Sequence, residues 1–306
     1  MGKRFANNEE LIRVYLRGWD EEGYTPSGHL YFDRDVLYSY GPHFPLAVRK
    51  DGYYIVNADR YSATTSSKHQ SPLFRLIPNS QRLELPFSAL TAMANLRGYN
   101  ASASLAKEID VIDWETDRYL DTGRVSKVTG EKLYDHVMGG SVFRWNGNVY
   151  ICGMDPTGAG NRGRFFLTQL DKGQMEKYGE PASMDDAYEL LKPDIVKKVE
   201  SQGVPVLRQG EWFFVKDELI QPSKDTVVKN YQLVHHIDRD PAHYATEGGI
   251  AKIMNEEIQV VRGIIRHARK EHRQVKLYEE GSKERCWYCA YESVQGQSWS
   301  AGGDVD

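Results

Sequence analysis

With 306 residues, a mass of 35.0 kDa, a formal net charge of −4 and a mean hydropathy of −0.59, the chain is long enough for two domains of ordinary size. It has no run of about 18 apolar residues, which excludes a membrane-spanning helix, and "MGKRFANNEELIRVYLRGWD" lacks the apolar stretch of a secretory signal. The acidic balance argues against non-specific nucleic-acid binding, and three cysteines are too few for a disulfide scaffold, so a cytoplasmic setting is expected, the host's if the gene is phage-borne.

In chain order, a short helix comes first, capped by Asn7 or Asn8 and started by Glu9 and Glu10, with Leu11, Ile12, Tyr15, Leu16 and Trp19 on one face. Strands follow in "HLYFDRDVLYSYG" and "PLAVRKDGYYIVNADRY", the second turning at Asp51-Gly52 as a hairpin. "TTSSKHQSPLFRLIP" reads as a turn feeding a helix capped by Ser66 or Ser67, and "FSALTAMANL" as a small-residue helix. Residues 98–138 carry five acids between Glu108 and Asp117 and read as an acidic insertion or linker.

A second unit begins near residue 139, after an N-terminal unit of residues 1–97. "SVFRWNGNVYICGMD" turns at Asn146-Gly147, and "PTGAGNRGRFFLTQL" is a glycine-rich loop entering a strand that lacks the Gly-Lys-Ser/Thr ending of a P-loop. Ser183 caps a helix, Pro193 breaks it, and a second helix ends at Gly203. "VPVLRQGEWFFVKDEL" is a hairpin turning at Gln209-Gly210, where Arg208 and Glu211 can pair. Two more strands follow, with Gly263 a candidate bulge; the unit ends at residue 292, and residues 293–306 read as a disordered tail. Hairpins dominate and helices are short, which predicts an α+β fold of mixed, mainly antiparallel sheets.

Three groups of residues carry chemistry. Thr65, Ser66, Ser67 and Lys68 at a helix start, with Arg208 elsewhere, form a candidate anion site; the bland reading is a capped helix whose hydroxyls serve their own backbone. His69, His243 and His267 are candidate catalytic groups, and His243 and Glu247 share a face if "HYATE" is helical. Cys286 and Cys289, with His267 and His272, offer four ligands for a structural zinc. The rival readings of the thiols are a cross-link between two chains in a homo-oligomer and ordinary packing.

"LYSYGPHFPLA", "NADRYSATTSSKHQ", "LKPDIVKKVESQGVPVLRQGEWFFV" and "HYATEGG…VVRGIIRH…EH" resemble the motifs of a widespread, largely uncharacterised family found in phages, plasmids and diverse microbes. The resemblance covers most of residues 36–78 and 185–277 and implies a mobile-element setting. Two function classes follow. One is a phage or mobile-element protein acting by protein contact, on a host anti-phage defence complex such as a nuclease, with 19 Tyr and 6 Trp supplying contact area. The other is a histidine-based or metal-assisted enzyme acting on nucleic acid or a phosphorylated ligand.

Overall fold

A computed structural model describes residues 2–300, apart from 60, 99, 116, 127–128, 156–164, 236–241, 254, 269–272 and 279–285. The fold is α+β. Its first sheet has seven strands in sequence order, from Lys3–Arg4 to Arg82–Leu85. It is antiparallel except at its two outermost pairs, and the Asp51-Gly52 turn joins Pro45–Arg49 to Tyr54–Asn57 with Gly52 at φ +83°. Helix Asn8–Arg17 starts where Asn7 accepts from the Glu10 amide and stops at Gly18, whose left-handed φ of 63° few side chains tolerate. It buries Leu11, Ile12 and Tyr15. Trp19 lies past that stop, so it misses the face and stays 66 % exposed under the Arg17 guanidinium.

The cap of the second helical segment is not where the hydroxyl run suggests. Ser62 accepts from the Thr65 amide, and helix then runs unbroken through Ser71–Leu76, with a π-helical stretch at Ser66–Gln70. Ser66 and Ser67 are therefore interior positions. Ser66 donates to Gln70 Oε1 and Ser67 to the Thr64 carbonyl, so both hydroxyls serve the helix itself.

The stretch expected as a linker is partly built into a second sheet. After helix Ser102–Lys107, strand Asp110–Trp114 pairs with Ser141–Trp145; Asp117–Val125 and Lys132–Met138 form a separate two-stranded ribbon. The second sheet runs Gln295–Ser300, Phe165–Leu170, Asn148–Met154, Ser141–Trp145, Asp110–Trp114. Asn146 and Gly147, both at positive φ, make its hairpin turn. The expected disordered tail thus contributes a strand through residue 300, because Trp299 has an apolar cluster to enter and Gln295 accepts from Thr168. That cluster includes Val36, Ile55 and Leu83 of the first sheet and Phe143, Trp145 and Leu167 of the second, so one core crosses the boundary expected between the units. Ser183 caps Met184–Leu190 as expected.

A third sheet completes the fold, in the order Val206–Gln209, Trp212–Asp217, Trp287–Glu292, Glu256–His267, His243–Ile253, Val228–Gln232, with Val275–Leu277 paired to Glu256–His267. Its edge strand should lie roughly 14 Å from the fourth strand if the sheet were flat. Instead Gln209 donates to the Ile265 carbonyl, so the sheet curls back on itself. The curl is aided by a bulge: Ala245 pairs with Ile265 and Glu247 with Arg262, leaving Gly263 and Ile264 opposite Thr246. Gly263 sits at φ +91°, and a Cβ there would lie 2.6 Å from Thr246 Cβ.

Packing yields one stability prediction. Trp299→Ala removes a buried indole from the shared core and is expected to cost about 3–5 kcal/mol, read as a lower urea midpoint. A disordered 293–300 segment would leave the midpoint unchanged.

Candidate metal centre

The curled third sheet gathers ionisable side chains that lie far apart in the sequence. Gln209 pairs with Trp212, so the two-residue turn is Gly210-Glu211, with Gly210 at φ +57°. Glu211 therefore stands at the tip of the hairpin and not in a pair with Arg208, whose Nε donates to the Gly210 carbonyl. Trp212 faces Glu292 across the next strand pair. Leu233 extends the pairing beyond Val228–Gln232 by donating to the His243 carbonyl, which carries the chain to His235. His243 in turn faces His267 directly, their rings 4.9 Å apart and edge-on.

The resulting cluster is almost dry. Side-chain exposure is 10 % for Glu211, 6 % for Glu292, 3 % for His235 and 1 % for His243, and His267 is buried. His235 Nδ1 lies 2.8 Å from Glu292 Oε1, while its Nε2 is 3.4 Å from Glu211 Oε1. His243 Nδ1 is 3.2 Å from the same Glu211 oxygen. Burial alone raises the Glu211 carboxyl, but the charge and hydrogen bonding of His243, its own backbone amide and His235 outweigh it and bring the group down to about 2. The Trp212 ring packs 5.3 Å from the His235 ring. Two buried polar atoms of this hairpin, Trp212 Nε1 and Gln209 Oε1, have no hydrogen-bond partner among the described residues.

Glu211, His235 and His243 place one ligand atom each within 4.8 Å of one another, as a single metal ion requires. The donor set fits a first-row divalent ion: two imidazoles and a carboxylate are shared by catalytic zinc sites and by non-haem iron centres. Glu292 on the far nitrogen of His235 is the outer carboxylate that fixes the tautomer of a ligating histidine.

Comparisons with protein-family models, curated proteins and solved structures return no match.

The residues expected from sequence are distributed differently. Of the histidine trio, His243 and His267 meet, whereas His69 has other neighbours: its Nδ1 is 2.7 Å from Ser39 Oγ and its ring is 5.4 Å from that of Tyr40. "HYATE" is strand, and Glu247 is held by Arg262 rather than turned to a site with His243. Among the described residues, Cys286 and Cys289 do not join His267 in a cluster of metal ligands. Three residues apart on one extended segment, Cys286 packs against the cluster around Trp212 and Cys289 within the cluster around Val260 and Trp287, on opposite sides. Burial also pushes the Cys289 thiol up to about 11, away from the thiolate a metal needs. His272 and the glycine-rich 156–164 loop lie outside the described residues. Thr65 is buried and Lys68 exposed in the helical segment, remote in sequence and sheet from Arg208, which covers the Phe213 ring.

Sequence reasoning missed His235 and Glu292. "VHHID" carried a signal in its paired histidines, but only the closing of the sheet brings His235 beside the Glu211 turn.

His69 yields a pH prediction. Burial, aided by the nearby His29 and Lys68, depresses its imidazole to about 4, whereas an unfolded histidine titrates near 6.5. Below 6.5 the unfolded chain takes up the proton first, so the stability that His69 contributes is full above that pH and declines as pH falls towards 4. Denaturant midpoints at pH 7.5 and 4.5 should therefore fall less in His69→Asn than in the parent. Equal losses would contradict this.

Proposed function

We propose that the protein binds a divalent transition-metal ion through Glu211, His235 and His243 and uses it as the Lewis acid of a metal-assisted reaction. The spacing of the ligand atoms carries this reading. Donors about 2.0–2.1 Å from a tetrahedral zinc are about 3.3 Å from each other; here the Glu211 oxygen is 3.4 and 3.2 Å from the two imidazole nitrogens, and all three atoms lie within 4.8 Å of one another. Three protein ligands leave a position for water or a substrate oxygen, where a bound ion polarises a bond or yields a nucleophile at neutral pH. His267 stands edge-on to His243 at 4.9 Å, a further buried imidazole in the same enclosure.

The protein-contact reading drew on abundant aromatics, and the fold uses most of the tryptophans internally. Trp145, Trp212, Trp287 and Trp299 are buried, leaving Trp19 as the widely exposed one. The acidic stretch likewise supplies strand Asp110–Trp114 to the second sheet. The metal-assisted reading therefore has the stronger physical support.

Equilibrium dialysis against zinc or cobalt followed by elemental analysis should give about one ion per chain, with none retained in Glu211→Gln or His243→Ala. Glu292→Gln should weaken binding by about 10–100-fold by freeing the His235 ring. In the cobalt form, azide or inorganic phosphate should shift the visible absorption, because an open position accepts a new ligand. A bound ion indifferent to both anions would overturn the Lewis-acid role, and no specific ion would overturn the whole reading.

A further inference from the structure

The motifs "LYSYGPHF" and "YSATTSSKHQ" take no part in the metal cluster, yet they build a second unusual surface. Tyr40 follows strand Val36–Ser39 at φ +59°, a conformation rare and strained for a bulky residue. Gly41 comes next at φ +139°, and a Cβ there would lie 2.8 Å from His43 Nδ1, so only glycine lets His43 fold against the turn. The π-helical turn at Ser66–Gln70, a feature that recurs at functional sites, sets His69 against Tyr40. Two ring pairs result. His29 and Tyr40 lie 4.4 Å apart, and Tyr61 lies 5.9 Å from His43 and 4.9 Å from buried Phe44. Tyr40 is 38 % exposed and Tyr61 55 %, and His29 and His43 are exposed as well.

We propose that this surface stacks successive bases of a single-stranded nucleic acid. Exposed tyrosine and histidine rings are the platforms on which unpaired bases stack, and such stacking is tolerant of sequence. Two ring pairs fit neighbouring bases of a strand better than one free nucleotide. The local charge agrees with the choice: Lys68, next to His69 in the helical segment, is exposed for a phosphate. The chain's net charge of −4 keeps the contact local, consistent with the absence of any expectation of broad nucleic-acid coating.

The test is fluorescence anisotropy of labelled ten-nucleotide oligo-dT and oligo-rU with the full chain. Saturable binding that weakens with added salt is expected. Tyr61→Ala should weaken it by about fivefold or more, as removal of a stacking ring does, while Tyr61→Phe and Tyr40→Phe retain it. Tyr61 is the decisive position because its exposed ring can be removed without emptying the core. The measurement is repeated on Glu211→Gln protein, which should bind oligonucleotide unchanged, so failure of the metal reading and failure of this one are separable. The proposal is overturned by absence of saturable binding, by equal affinity of Tyr61→Ala and the parent, by equal competition from duplex DNA, or by a proline-rich peptide occupying the rings in place of the strand.

Discussion

Burying two carboxylates among three imidazoles is the constraint on which the third sheet is organised. Removing each charge from water costs several kcal/mol even after relaxation, and ion pairing repays this only with good geometry and full hydrogen bonding. Glu211, His235, His243, His267 and Glu292 meet those terms partly through one another, since the Glu211 oxygen is shared by two imidazoles and His235 spans both acids. A dication between Glu211, His235 and His243 would compensate the carboxylates without requiring protonated rings beside it. Without an ion, the same contacts are carboxylate–imidazole pairs that tie the Glu211 turn and the Glu292 strand to His235 and His243.

Backbone geometry makes the cluster possible. A two-residue turn at Gly210-Glu211 lifts the carboxylate off the strand alternation and points to why glycine precedes it. The bulge at Gly263 twists the longest strand pair, and the curl that follows lets Gln209 reach Ile265. Apolar residues then enclose the ionisable ones, with Trp212, Leu233, Ala245, Val261 and Ile265 in one cluster. A substitution that flattened this strand pair would therefore disperse ligands it never touches.

Local chemistry was legible in the sequence where the answer is local. Asp51-Gly52 and Asn146-Gly147 encode hairpins through residues that accept positive φ, Ser183 encodes its helix cap, and Gly263 its bulge. Ser62 was overlooked as a cap because four further hydroxyl residues follow it and helix propensity alone does not choose among them. The strand at 295–300 is hidden by its polar composition, with Trp299 its large apolar side chain in the core. The candidate site was half legible. His243 and His267 stood out by type, but Glu211 looked like a turn residue, and His235 and Glu292 join only through sheet closure. Cys286 and Cys289 drew attention by a familiar spacing, and an extended backbone separates them.

Crystals of the zinc-loaded chain, with anomalous scattering measured at the zinc edge, test the central claim most directly. The account predicts one strong peak about 2.0–2.2 Å from Glu211 Oε1, His235 Nε2 and His243 Nδ1, with Glu292 still on the other nitrogen of His235. A fully occupied zinc at Cys286 or Cys289, or direct Glu211–imidazole contacts with no peak between them, would contradict it.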